Sequence, residues 1–176
     1  MTECEKSYGL AEGAVTVARP REELYEFWRE FSNLGKFLHN VRSVHSDDRV
    51  RAHWVIATGA VRSVELDTIV IQDVPNELIA WRAAQGSQIA HEGRVEFRDA
   101  PSGRGTKVTA VILYEHPGAA AGRQFAQVFN HEARAQARRE LRRFKQLMES
   151  GEIAAASSNR NSNSNSNRQS ARTAME

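Results

Sequence analysis

The chain has 176 residues, 40% of them hydrophobic, with 24 Lys and Arg against 22 Asp and Glu for a formal net charge of +2. That length and apolar content predict one domain with a sizeable core rather than two. The near-balanced charge neither demands nor excludes a nucleic-acid or membrane-surface partner, but no apolar run approaches the ~20 residues needed to span a bilayer.

Residues 1–9, MTECEKSYG, are polar and read as a flexible N-terminus without the apolar stretch of a secretory leader. They hold the single cysteine, Cys4, which has no partner for an internal disulfide, so a reducing, cytoplasmic setting is expected. A short strand follows at Ala14–Ala18. Pro20 then suits the first turn of a helix that continues through Leu24, Phe27, Trp28 and Phe31. Ser32, Asn33 and Gly35 break that helix, and Leu34, Phe37 and Leu38 suggest a second short one. Six strands are predicted next: Val41–His45, Arg51–Thr58, Val61–Asp73, Glu77–Ala83, Ile89–Asp99 and Thr106–Glu115. Each is separated from the next by Gly, Pro, Asn, Asp or Ser turn signals, which favours an antiparallel meander.

The last element is a long amphipathic helix from Gly118 to Ser150. Its stripe of Phe125, Val128, Phe129, Ala133, Ala137, Leu141, Phe144, Leu147 and Met148 follows the 3.6-residue period. The stripe is bulky at its ends and thin at Ala133 and Ala137. Packed on a sheet, such a helix leaves room for a void at its centre, although two alanines also satisfy ordinary helix packing. From residue 154 to 176 the chain is an Asn/Ser-rich run with almost nothing apolar to bury, and it is expected to be a disordered tail. The folded domain is therefore expected over residues 10–153.

Few motifs carry chemistry. His131-Glu132 begins a His-Glu-x-x-His zinc signature, but Ala135 occupies the second histidine position and no cysteine pair supports a thiolate site. No metal or cofactor is expected. There is no Gly-x-Ser-x-Gly elbow, and the glycines of Ser102–Thr106 lie between two strands, as in a hairpin rather than a phosphate loop. Acid–base chemistry is the better catalytic option. Glu65 and Asp67 share one face of a strand with Ile69 and Ile71; if that face lined an apolar cavity, both carboxyls would have raised pKa values and suit enolisation or dehydration. If it faced solvent, they would pair with Arg62, Arg82 or Arg94. His53, His91, Tyr114 and His116 are possible companions.

The order strand, two helices, six strands and a long helix resembles the polyketide cyclase/dehydrase (SRPBCC, START-like) family. The resemblance is carried by VTVARPREELYEFWR at Val15–Arg29, NLGKF at Asn33–Phe37, IAWR at Ile79–Arg82, GRVEF at Gly93–Phe97, GTKV at Gly105–Val108 and LRRFKQLMESGEI at Leu141–Ile153. It implies an α+β helix-grip fold, a curved antiparallel sheet wrapped around the C-terminal helix with an apolar cavity between them. Members bind or act on lipids, polyketides and quinones, and these motifs are structural rather than catalytic.

Three functional readings follow. The first is binding, and possible transport, of an apolar small molecule or lipid, the cavity lined or capped by Phe27, Phe31, Phe37, Trp54, Trp81, Phe97, Tyr114, Phe125, Phe129, Ala133 and Ala137. The segment around Gly35, Phe37 and Leu38 would gate it. The second is a cyclase- or dehydratase-type enzyme with Glu65 or Asp67 as acid or base and Tyr114 or a histidine as partner. The third is an interaction module using the basic row Arg134, Arg138 and Arg142 against RNA, an anionic membrane or a protein. That face lacks interleaved aromatics, which argues against nucleic acid.

Overall fold

The computed structural model describes residues 8–46, 48–57, 61–87, 89–115 and 133–151. Strand β1 (Tyr8–Val17) is followed by α1 (Arg21–Arg29) and a 3₁₀ helix (Phe31–Lys36). Six strands come next: β2 (Val41–His45), β3 (Arg51–Ala57), β4 (Ser63–Val74), β5 (Leu78–Ala83), β6 (His91–Asp99) and β7 (Thr106–Glu115). Helix α2 (Ala133–Ser150) ends the described chain. The strands form one antiparallel sheet in the order β1-β7-β6-β5-β4-β3-β2. This is the curved sheet and gripped C-terminal helix of the helix-grip fold.

The meander from β2 to β7 follows the predicted order, but the first strand is longer than its sequence suggests. It begins at Tyr8, so Tyr8 and Gly9 belong to the sheet rather than to a flexible N-terminus. Its inward positions there are Gly9, Ala11 and Gly13, too small to produce an apolar alternation. The physical reason is the close passage of α2. A Cβ at Gly13 would lie 2.9 Å from Leu141 Cδ1 and 3.3 Å from the Ala137 carbonyl carbon.

Helix α1 carries Glu22 and Glu23 in its first turn and Arg29 in its last, matching the helix dipole, and buries Leu24, Tyr25 and Trp28. It ends at Glu30, where the backbone turns extended. The expected break and second helix merge: Ser32, Asn33 and Gly35 lie inside the 3₁₀ helix. The Ser32 hydroxyl donates to Glu30 Oε1 and the Asn33 side-chain amide to Phe27 O, so these polar residues start the tighter turn instead of ending structure.

The core lies between α1, α2 and the concave sheet face, with Leu24, Phe37, Ile79, Val95, Phe97, Val108 and Phe144 almost wholly buried. Trp28, Phe37 and Phe144 form a three-ring cluster with centroids 5.1 to 5.6 Å apart. Truncating any of these aromatics to Ala costs about 3–5 kcal/mol. Polar ties fix α2 at two places. Near its C-terminus, Lys145 Nζ donates to Thr16 O and Glu149 Oε1 accepts from Ala18 N–H, both at the end of β1. One to two turns earlier, Arg143 Nε donates to Phe37 O and Glu140 Oε1 accepts from His39 N–H. The predicted helix residues 118–132, the tail from 154, and Cys4, His116, Phe125, Phe129 and His131 lie outside the described residues.

Candidate functional site

Between the concave sheet face and α2 lies a cavity of about 230 Å³. Trp28, Phe31, Leu34 and Phe37 line it from the α1–3₁₀ segment, with Leu38, His39 and Asn40 continuing that wall. Trp54, Leu66, Trp81, Ala110 and Ile112 line it from the sheet, and Ala133, Ala137 and Leu141 from α2. Polar groups are few: Thr68, His91, Tyr114, Gln136 and Glu140 are the main ones. An apolar concavity with a handful of placed polar groups is the usual form of a small-molecule site.

Local structure positions the walls. Trp81 is the register partner of Gly93, and Tyr114 that of Gly9. A Cβ at either glycine would overlap the facing aromatic ring, so each ring lies flat across the neighbouring strand. Trp54 Nε1 donates to Thr68 Oγ1 at 2.9 Å, and Thr68 Oγ1 donates to Ala52 O at 3.3 Å, which holds the indole in place. Ala133 and Ala137 line the cavity, yet Ala137 also permits the contact with Gly13, so small size there serves both packing and cavity.

Burial shifts three titratable groups of the wall, His91, Tyr114 and Glu140. His91 is pushed below the usual imidazole range by desolvation; its Nδ1 contacts Ile89 O at 3.1 Å, so Nδ1 carries the proton and Nε2 is the ring's acceptor. Burial raises the Tyr114 phenol, which stays protonated at neutral pH. His91 and Tyr114 face each other in register across β6 and β7. Burial also raises the Glu140 carboxyl, opposed by the His39 N–H and the charge of Arg143.

The predicted residues divide clearly. Phe31, Phe37, Trp54, Trp81, Tyr114, Ala133 and Ala137 line the cavity. Phe27 and Phe97 do not: Phe27 packs beside Phe37 and Phe144, and Phe97, 1% exposed, sits edge-on to Tyr25 in the main core. Glu65 and Asp67 lie on the opposite face of the sheet. In β4 the inward positions are Val64, Leu66 and Thr68, which leaves the two carboxylates outside with side chains 70% and 60% exposed. There they pair with His53, whose Nδ1 is 2.7 Å from Asp67 Oδ1, rather than with Arg62, Arg82 or Arg94. Arg134, Arg138 and Arg142 are exposed on α2. Among the described residues no cluster of three or more His, Cys, Asp or Glu is placed to hold a metal ion.

The sequence reading missed Trp28, Leu34, His39 and Glu140. The signal for Glu140 was present. It falls three residues after Ala137 and four before Phe144, inside the apolar stripe, where a charged residue needs a reason.

The sequence profile of the family described as polyketide cyclase / dehydrase and lipid transport matches residues 17–138. Among solved structures, a Deinococcus radiodurans protein is 32% identical, over 81% of this chain and 99% of that one, with a TM-score of 0.66. A Thermus thermophilus protein is 19% identical over 80% and 95%, with a TM-score of 0.61. The Zhui aromatase/cyclase from a Streptomyces species is 12% identical over 82% and 98%, with a TM-score of 0.58, a likeness of fold. No curated protein matches the chain in sequence.

Proposed function

Because the chain belongs to the polyketide cyclase / dehydrase and lipid transport family, we propose that the cavity binds an apolar small molecule with a compact, flat ring system. The observation that carries this reading is the cavity itself: about 230 Å³, walled by Trp28, Trp54, Trp81 and Phe37, with few polar groups. At ~30 Å³ per water that space equals about eight waters. Burying on the order of 250 Å² of apolar ligand surface contributes roughly 6 kcal/mol before ordering costs, which caps the affinity at tens of micromolar.

The test fills the cavity from the sheet side. Ala110, on β7, lines the cavity from the sheet and is the register partner of Gly13. Titration of the wild type with 2-methylnaphthalene should quench tryptophan fluorescence saturably. Ala110→Leu should weaken binding about tenfold with unchanged circular dichroism. Equal binding by the variant would sink the assignment of this cavity.

Cyclase-type chemistry is a second reading, favoured by one observation: a neutral His91 and a protonated Tyr114 face each other in the wall. His91 Nε2 suits proton removal from a carbon next to a carbonyl, and the phenol suits donation to the developing enolate oxygen. Glu65 and Asp67 face away and have no part in it. On this reading Tyr114→Phe loses turnover of a β-polyketone substrate by about a hundredfold while binding changes little. Turnover unchanged in that variant would refute it.

A further inference from the structure

A formal charge of only +2 hides a separation of charge between α1 and α2. On α2, Arg134, Arg138 and Arg142 are exposed and recur every four residues, so they share one face of the helix. The carboxylates of that helix are answered by other cations: Arg143 lies 3.7 Å from Glu140 and Lys145 3.0 Å from Glu149. Among the described residues, Arg134, Arg138 and Arg142 take part in no ion pair.

Helix α1 presents the opposite sign. Glu22, Glu23, Glu26 and Glu30 are exposed, while Leu24, Tyr25 and Trp28 are buried. Glu23 lies 3.9 Å from Arg19, and Glu30 accepts from the Ser32 hydroxyl. Glu22 and Glu26, one turn apart, have no ion pair among the described residues.

The two faces do not neutralise each other within one molecule. The helices meet through their inner rings, Phe27 and Trp28 standing 5.8 and 5.6 Å from Phe144, so the charged faces turn outward. The rows also match in length. Arg134 to Arg142 covers about 12 Å of helix, and Glu22 to Glu30 the same number of residues. An outside polyanion would engage α2 and leave α1 unanswered. A second copy of the chain answers both rows at once, and a net charge so near zero sets up little repulsion between copies.

We propose that α1 of one copy docks on α2 of a second copy, with Glu22 and Glu26 facing Arg138 and Arg142. A two-fold arrangement makes this contact twice, so that both rows of both copies are covered. Exposed ion pairs are individually weak, so the association is transient, with a Kd on the order of 100 µM at low salt. Trp28 on α1 and Ala137 and Leu141 on α2 line the cavity, so the contact braces both helical walls from outside.

The experiment is sedimentation equilibrium of the full chain at 10 and 150 mM NaCl, between which the screening length falls from about 30 Å to about 8 Å. The wild type should dimerise at the lower salt and weaken at least tenfold at the higher. Arg138→Glu/Arg142→Glu and Glu22→Lys/Glu26→Lys should each be monomeric, and an equimolar mixture of the two should dimerise within about threefold of the wild type. Arg98→Glu/Lys107→Glu, on exposed sheet positions, has the net charge of the first variant and should dimerise like the wild type. Mixed with Glu22→Lys/Glu26→Lys in place of the first variant, it should associate at least threefold more weakly. Where a reversal does not fold by circular dichroism, the glutamine variants at the same positions replace it, each weakening the dimer at least threefold. A wild type that stays monomeric to about 1 mM at 10 mM NaCl overturns the proposal. So does a dimer that survives reversal of either helix, or a complementary mixture no tighter than its control. Loss of association on reversing α2 but not α1 assigns the arginines to a different partner and overturns it as well.

Discussion

Glu140 shows at a single residue how burial turns a common side chain into a titrating element of stability. Desolvation raises its carboxyl pKa against the opposing pull of the His39 N–H and the Arg143 charge. A raised carboxyl favours the protonated form in the folded state, so its contribution is fully present below about pH 4.5 and is lost as pH rises through the folded value. His91 acts in the other direction. Its imidazole is depressed by burial, so the folded state resists protonation and stability falls as pH drops below about 6.5. Comparing the wild type with Glu140→Gln cancels the histidine. The Gln variant should gain in melting temperature relative to the wild type by a few degrees between pH 4 and pH 8. A difference that stays flat across that range would mean that Glu140 does not feel its burial. Neither shift was legible in the sequence, because desolvation depends on which strand or helix face turns inward and on what closes over it. Only the anomaly of a glutamate inside an apolar stripe could be read beforehand.

At the scale of elements, the hairpin joining β6 to β7 depends on one glycine. Gly105 has φ +100° and its backbone lies against the end of β1: a Cβ there would overlap Val17 O and come within 2.7 Å of Ala18 Cα. The neighbouring Thr106 hydroxyl donates to Arg19 O at 2.8 Å, and Ala100 N–H donates to Gly105 O at 2.8 Å. Both contacts fix the same corner. Gly105→Ala therefore meets a steric clash with backbone as well as an unfavourable φ. It should lower stability by about 3 kcal/mol or more, on the order of 10 °C in melting temperature. A loss under about 2 °C by differential scanning calorimetry would show that this corner rearranges freely. The element map was largely legible because β-branched and aromatic residues alternate through β2 to β7. The start of β1 was not, since Gly9, Ala11 and Gly13 give no hydrophobic period. The glycines there answer to α2 and to the ring of Tyr114, distant partners that no local window contains. The carboxylate pair on β4 illustrates the converse. The two faces of that strand could be separated by alternation alone, but which face was inward depended on α2 and the 3₁₀ segment.

Taken as a whole, the molecule is closed by contacts between the two ends of its described chain. β1 pairs along its full ten residues with β7, from Tyr8↔Glu115 to Val17↔Thr106, about a hundred positions apart. The same strand receives α2, through Gly13 and the ties from Lys145 and Glu149. At the sheet's other edge, among the described residues, β2 pairs only with β3. During synthesis, therefore, β1 leaves the ribosome well before its partners β7 and α2. The β2–β7 meander can assemble hairpin by hairpin, whereas β1 must wait for β7 and then for the terminal helix. Loop-closure entropy makes such late, non-local pairing slow. Strand β1 thus stays unpaired while the β2–β7 meander is made, and the cavity is complete only once α2 closes on that strand.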